Sequence, residues 1–106
     1  MNTELEHLRR MRELLAKGWT QGAWARDSLG SPCSELSLQA RSFCLYGALY
    51  CARQGDSVQM ILDLISRAAA DFKIMSITSW NDKSGRTQAD VLAFVDRAIE
   101  IAEAEQ

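Results

Sequence analysis

Four stretches of the chain carry apolar residues at the spacing of an α-helix. The first covers residues 3–17, where Leu5, Leu8 and Leu15 fall on one stripe. The other three are expected at residues 35–53, 56–72 and 87–104. The pattern therefore predicts one all-α domain over residues 1–106, either a small four-helix bundle or an irregular helical domain with two long polar loops.

Helix boundaries follow from capping residues. Gly18 is expected to end the first helix, and Thr87 to cap the last one. Gly55 followed by Asp56 predicts a helix end and an immediate new start, which gives a tight corner or an antiparallel hairpin. Between the helices, residues 18–34 read as a loop. Residues 73–86 read as an extended segment packed on the bundle.

The second predicted helix has a stripe of small residues, namely Cys44, Gly47, Ala48 and Cys51. A glycine inside a helix costs about 1 kcal/mol relative to alanine, so close packing of another helix is the expected reason for it. The two cysteines lie too far apart along one helix for a disulfide and suit an apolar core.

The cysteine and histidine residues do not have the spacing that a metal site needs, and no catalytic arrangement of side chains is evident. The chain has three cysteines without CxxC or CxxH spacing, so no metal or other cofactor is expected. His7 lies in an amphipathic helix and is expected on the surface. The protein is therefore not expected to be an enzyme; the weakest of three functional hypotheses is a hydrolase using Asp27 or Asp82.

The first polar segment with unusual chemistry is residues 18–27, GWTQGAWARD. Its candidate site residues are Trp19, Gln21, Arg26 and Asp27. A tryptophan stacks on a ring and an arginine clamps an anion, which suits a ligand site. In the structural alternative, Trp19 fills the core and Arg26 pairs locally with Asp27.

The second such segment is residues 79–87, SWNDKSGRT. Its candidate residues are Trp80, Asn81, Asp82 and Arg86, just before a predicted helix N-terminus that favours anions. In the structural alternative, Trp80 is a core residue, and asparagine and aspartate form turns with their own backbone. If the fold joins both segments, their eight candidate residues line one patch, whose structural version is a salt-bridged clasp.

Composition and charge narrow the class of partner. The chain has 106 residues, 47% hydrophobic, with a net charge of −2. That charge argues against general nucleic-acid binding, which needs surplus lysine and arginine on one face. Bases concentrate in residues 1–26 and acids in residues 87–106, and the two faces are expected to attract each other weakly.

Neither a membrane nor an export route is expected. No stretch approaches the roughly 20 apolar residues that a spanning helix needs, and the start is not a signal peptide. We therefore expect a cytoplasmic protein, in a bacterium or a phage-infected host cell.

The sequence resembles a group of small proteins of unknown function encoded in bacterial and phage genomes. The resemblance rests on GWTQGAWARD at 18–27, FCLYGAL at 43–49 and WNDKSGRTQADVLAFVDRAI at 80–99. It implies one helical domain and a mobile-element context, and brings no activity, cofactor or catalytic residue with it.

The leading hypothesis is a non-enzymatic binding module. Its loops at 18–27 and 79–87 would bind a partner protein or a small anionic ligand such as a nucleotide, as in a phage counter-defence factor. The alternative is a structural or regulatory homo-oligomer that associates through an apolar helix face, either the small stripe described above or the last helix.

Overall fold

The computed structural model describes residues 3–53 and 58–105. Within them, one helix, three short strands and four further helices form a mixed α/β arrangement and not the predicted all-α one. The elements, in chain order, are α1 (Thr3–Lys17), β1 (Ala25–Arg26), β2 (Pro32–Cys33), β3 (Ser42–Phe43), α2 (Leu45–Ala52), α3 (Gln59–Asp71), α4 (Ile77–Asp82) and α5 (Gln88–Ala104). The prediction of an all-α bundle is therefore wrong. Each of the four predicted helical stretches does contain a helix, namely α1, α2, α3 and α5.

The core lies between α1, α2, α3 and α5. Helix α1 packs on α5 and α2, and α3 packs on α5. Leu8, Leu15 and Phe94 are completely buried where these helices meet. Burial of such side chains at helical spacing is the main force that holds the helices together. None of the described helices is both long and apolar enough to cross a membrane.

His7 belongs to this core and is only 1% exposed, so the prediction of a surface histidine is wrong. Its Nε2 lies 3.0 Å from the Leu49 carbonyl oxygen of α2 and donates a hydrogen bond to it. A buried polar ring is tolerated because it is hydrogen-bonded. The helical pattern of the sequence could not distinguish this inward histidine from an exposed one.

Ion pairs join the basic α1 to the acidic α5, as the uneven charge distribution predicted. Arg9 Nη2 lies 3.3 Å from a Glu103 carboxylate oxygen. Arg12 Nε lies 2.6 Å from Asp96 Oδ1. All four side chains are about half exposed, so each pair contributes at most about 1 kcal/mol.

The predicted helix over residues 35–53 is observed only as α2. Before it, Ser34 Oγ accepts a hydrogen bond from the Leu36 amide at 3.1 Å, and Ser37 Oγ accepts one from the Gln39 amide at 3.0 Å. Serine side chains that bond nearby amides compete with helix formation and favour turns. Residues 34–41 therefore form successive turns that lead into β3.

The predicted loop over residues 18–34 contains two strands of a small antiparallel sheet, in the order β2-β1-β3. Ala25 is paired with Cys33 on one side and Phe43 on the other. Trp19 adds an isolated parallel bridge to Phe43. Strands of two residues are too short to show alternating hydrophobicity, so no periodic pattern could predict them.

The segment 73–86 is not extended, because it contains α4. Ser76 caps this helix, its side chain accepting a hydrogen bond from the Ser79 amide at 3.2 Å. Before it, the chain leaves α3 through the C-cap residue Phe72 and through Lys73, which has a left-handed conformation with φ 57°.

The ends of α1 and α5 agree with the sequence prediction, whereas α3 begins at Gln59, after the N-cap residue Val58, and not at the predicted residue 56. Thr87 caps α5 through a capping box with Asp90, and α1 spans the predicted residues. The predicted corner at Gly55 and Asp56 lies outside the described residues.

Candidate functional site

The two tryptophan-containing segments meet at Asn81, which is only 1% exposed. Its Oδ1 accepts hydrogen bonds from Trp19 Nε1 at 2.9 Å and from the Leu45 amide at 3.2 Å. Its Nδ2 donates to the Thr20 carbonyl at 3.2 Å and to Asp82 Oδ1 at 2.8 Å. One side chain therefore joins α4, the first segment and the start of α2.

Two neighbouring residues extend these contacts. Gln21 Nε2 donates to the carbonyl oxygens of Asn81 at 3.0 Å and of Lys83 at 2.9 Å. The Gly22 amide donates to Asp82 Oδ1 at 3.1 Å. We call the hydrogen bonds that join residues 19–22 to residues 81–83 the loop clasp.

Arg26 supports the clasp from within its own segment. Its guanidinium donates to Thr20 Oγ1 at 3.0 Å, to the Gly30 carbonyl at 2.9 Å and to the Gln21 carbonyl at 3.1 Å. A planar guanidinium with several fixed donors suits this bridging of three chain positions. These acceptors are oxygens of neutral groups, and Arg26 forms no ion pair with Asp27, which lies within the described residues, so the predicted local pair is wrong.

Arg86 has the corresponding position on the second segment. Its Nε donates to the Trp80 carbonyl at 2.9 Å, and its guanidinium lies 4.0 Å from the centre of the Trp80 ring. Its Nη1 also lies 3.8 Å from Asp90 Oδ2. Trp80 packs against Phe94 of the core, with ring centres 5.4 Å apart. Arg86 thus covers a tryptophan that is part of the fold.

Asp27 lies apart from the clasp in the turn between β1 and β2. Its Oδ1 accepts hydrogen bonds from the Leu29 and Ser31 amides, both at 2.9 Å. This is the backbone-bonding role that aspartate often takes in turns. Of the eight candidate residues, the structure joins Trp19, Gln21, Asn81 and Asp82 directly, whereas the others order one segment or the other.

A pocket of about 140 Å³ opens beside the clasp. Only Asn81 and Asp82 of the candidate residues line it. Its walls come from the first segment, the start of α2 and α4. The lining residues are Gly22, Ala23, Trp24, Cys44, Leu45, Tyr46, Ile77, Thr78, Asn81 and Asp82.

Aromatic side chains form the outer rim of this pocket. Trp24 is 46% exposed and is stacked on Tyr46 and Tyr50, with ring centres 6.3 and 5.3 Å away. The sequence interpretation missed Trp24 and Tyr46 as site residues. A signal was present, because Tyr46 and Tyr50 are four residues apart and so share one helix face.

Gly47 explains how Trp24 comes so close to α2. A Cβ at Gly47 would lie 1.9 Å from the Trp24 carbonyl oxygen. That carbonyl accepts a hydrogen bond from the Cys44 amide at 3.1 Å. The predicted close approach at Gly47 is thus confirmed, but the approaching element is the loop before β1 and not another helix.

Negative charge characterises the pocket, because Asp82 is the charged residue of its lining. Cys44 also lines it, and its Sγ accepts a hydrogen bond from the Gly47 amide at 3.3 Å. Burial raises the pKa of the Cys44 thiol, and the nearby Asp82 charge adds to this effect. A thiol with a raised pKa is a poor nucleophile.

A second depression, of about 450 Å³, adjoins the first and shares Tyr46, Ile77 and Thr78 with it. Met75 lines it and is fully exposed. Over residues 3–53 and 58–105, no group of three or more histidine, cysteine, aspartate or glutamate residues is arranged to hold a metal ion.

These features define a small mixed α/β domain in which a clasp between two loops supports an aromatic-rimmed pocket. The chain belongs to the family of unknown function DUF6197, whose family model matches residues 1–101. The predicted membership of a family of unknown function is thus confirmed. No curated protein and no solved structure gives a significant match to the chain.

Proposed function

We propose that the protein is a non-enzymatic binding module that recognises a partner protein at the pocket beside the loop clasp. The observation that carries this proposal is the half-exposed Trp24, stacked on Tyr46 at the rim of a 140 Å³ pocket. Tryptophan and tyrosine supply much of the binding energy in protein interfaces when they flank a preformed depression.

The adjoining depression supports a partner of macromolecular size. It extends the concave surface from Tyr46 to the exposed Met75 and adds the polar side chains of Ser66 and Ser76. The two depressions are continuous through Tyr46, Ile77 and Thr78, so a partner that spans both contacts α2 and α4 together. The clasp holds one wall through the buried Asn81, so this part of the surface is ordered before binding, which reduces the entropic cost.

The two other versions of the hypothesis have less support. An anionic ligand needs free cations, but Arg26 and Arg86 donate to carbonyl oxygens of their own segments. A homo-oligomer needs an exposed helix face, but Gly47 is covered by Trp24, and Phe94 on the apolar face of α5 is buried. The partner-protein version uses a surface that is open in the isolated chain.

We place the module in the cytoplasm of a bacterium or of a phage-infected cell. Cys33, Cys44 and Cys51 are free thiols, which suits a reducing compartment. A phage counter-defence factor that occupies the surface of a host protein fits such a module. This context is supported by the family resemblance and not by the geometry of the pocket.

Affinity capture from the source cells, compared between the wild type and Trp24→Ala, tests the proposal. Met60→Ala is the matched control, because Met60 is 63% exposed on α3 and lines neither depression. A captured protein is then purified and titrated calorimetrically. We expect Trp24→Ala to weaken binding at least about tenfold and Met60→Ala to leave it unchanged.

Equal binding by the wild type and Trp24→Ala would exclude this surface as the interface. Thermal melts with a panel of nucleotides test the anionic version separately. A rise in the wild-type melting temperature that Arg26→Ala or Arg86→Ala abolishes would replace the partner-protein proposal by a nucleotide site.

A further inference from the structure

The carboxylate of Asp82 is held in the pocket but not neutralised there. Its Oδ1 accepts from the Gly22 amide and from Asn81 Nδ2. In the described part of the chain, no lysine, arginine or histidine lies within ion-pair distance of it. A fixed acceptor with uncompensated charge favours a ligand that brings a positive charge.

The remaining lining suits the other parts of a cationic side chain. Trp24 and Tyr46 present aromatic rings at the rim, and such rings attract guanidinium and ammonium groups. Leu45 and Ile77 add apolar wall that can cover an aliphatic stem. Arginine and lysine combine these two parts, since each carries a charged head on an apolar stem.

The Asp82 carboxylate lines the pocket from the solvent-exposed end of α4. The neighbouring Cys44 has a raised pKa, to which the Asp82 charge contributes after burial. The clasp fixes the carboxylate before any ligand arrives, so little ordering is needed on binding.

From this arrangement we propose that the pocket receives an arginine or lysine side chain of the partner protein. The inference rests on the proposed function and names the group that the partner inserts. It assigns Asp82 as the anion that selects the charge, and Trp24 with Tyr46 as the rings that flank the stem and head.

The test is an NMR titration of the ¹⁵N-labelled protein with acetyl-Gly-Arg-Gly-amide. The neutral isostere acetyl-Gly-citrulline-Gly-amide is the matched control peptide. We expect the arginine peptide to shift the Gly22 and Thr78 amides and the Trp24 indole signal, and to bind about fivefold more tightly than the citrulline peptide. Methylguanidinium alone should bind more weakly than the peptide, because it lacks the stem.

Asp82→Asn tests the anion with the same peptide. Asparagine keeps an oxygen that can accept from the Gly22 amide, and the spectrum of the free variant checks that the clasp remains. We expect Asp82→Asn to bind the arginine and citrulline peptides with nearly equal affinity, a ratio of about 1. Glu13→Gln removes one negative charge from an exposed position on α1 outside the pocket. This control should keep the wild-type preference for the arginine peptide.

Equal binding of the two peptides to the wild type, or no shift at the pocket with the arginine peptide, would overturn the inference. Methylguanidinium binding as tightly as the peptide would assign the pocket to a small free cation instead. The captured partner separates the two proposals. If Trp24→Ala loses that partner but Asp82→Asn binds it normally, the binding-module proposal is supported and the proposal of an inserted cationic side chain is wrong. If neither variant loses the partner, both proposals are wrong.

Discussion

Replacement of Asn81 by alanine tests whether the loop clasp stabilises the fold. The change removes the side-chain amide that accepts from Trp19 Nε1 and the Leu45 amide and donates to the Thr20 carbonyl. These three groups lose their partner at once, whereas Asp82 Oδ1 keeps its bond from the Gly22 amide.

The expected loss follows from the burial of these groups. Each buried polar group left without a partner costs about 1–3 kcal/mol. Leu45 is 1% exposed and bears the full cost at its amide, whereas Trp19 and Thr20 are only partly buried and regain some bonding from water. We therefore expect Asn81→Ala to lower the free energy of unfolding by about 3–5 kcal/mol, out of the roughly 5–15 kcal/mol typical of a domain.

Urea denaturation followed by circular dichroism and by tryptophan fluorescence measures this loss. Ser79→Ala is the matched control, because Ser79 is an exposed residue of the same helix, α4. The control should change the free energy of unfolding by less than about 0.5 kcal/mol. In the spectrum of folded Asn81→Ala, the Trp19 indole proton should exchange faster with solvent than in the wild type.

A loss below about 1 kcal/mol for Asn81→Ala would refute the reasoning. It would mean that water replaces the amide at little cost, and that the two segments are held by other contacts. The same loss in the control would show that α4 itself is sensitive to substitution and that the hydrogen bonds are not the cause.

Three further predictions concern single positions. Gly47→Ala should destabilise the fold by about 2 kcal/mol in urea, because the new Cβ meets the Trp24 carbonyl; stabilisation, as helix propensity alone predicts, would contradict the close approach. Lys73→Gly should raise the melting temperature by removing a left-handed strain of about 1 kcal/mol, and Lys73→Ala should not; equal effects would place the cause in the side chain. The pKa of Asp90 lies below its ordinary value of 3.8, chiefly because the Thr87 amide bonds to it. Stabilisation from Asp90 is thus present above pH 3.8 and lost as the pH falls through the lower folded pKa, so Asp90→Asn should be less stable than the wild type at pH 6 and converge with it in acid; a difference that persists at low pH would contradict the assignment.

The sequence predicted the parts of the fold that depend on long apolar repeats. Helices α1 and α5 end within one residue of the expected positions, because each carries four turns of inward side chains and a capping signal. The shorter elements were missed, since two-residue strands and the six-residue α4 have no measurable period. Ser34 and Ser37 carried the signal that turns replace the predicted helix, because serine favours turns over helix interiors.

The candidate site was partly predictable for a similar reason. Trp19, Asn81 and Asp82 stood out by residue type, and the structure joins them. The pocket rim did not, because Trp24 and Tyr46 come from segments whose approach depends on the tertiary fold. Gly47 indicated a close approach but not which element approaches.

The clasp and the pocket use the same residues for opposite purposes. Asn81 satisfies its donors and acceptors inside the protein, whereas Asp82 offers one oxygen to the clasp and leaves its charge uncompensated. An asparagine oxygen at this position could still accept from Gly22 and Asn81, but an ionised carboxylate accepts these bonds more strongly. The charge of Asp82 therefore strengthens the clasp, and because no cation in the described part of the chain pairs with it, the same charge is also available to the cationic side chain proposed above.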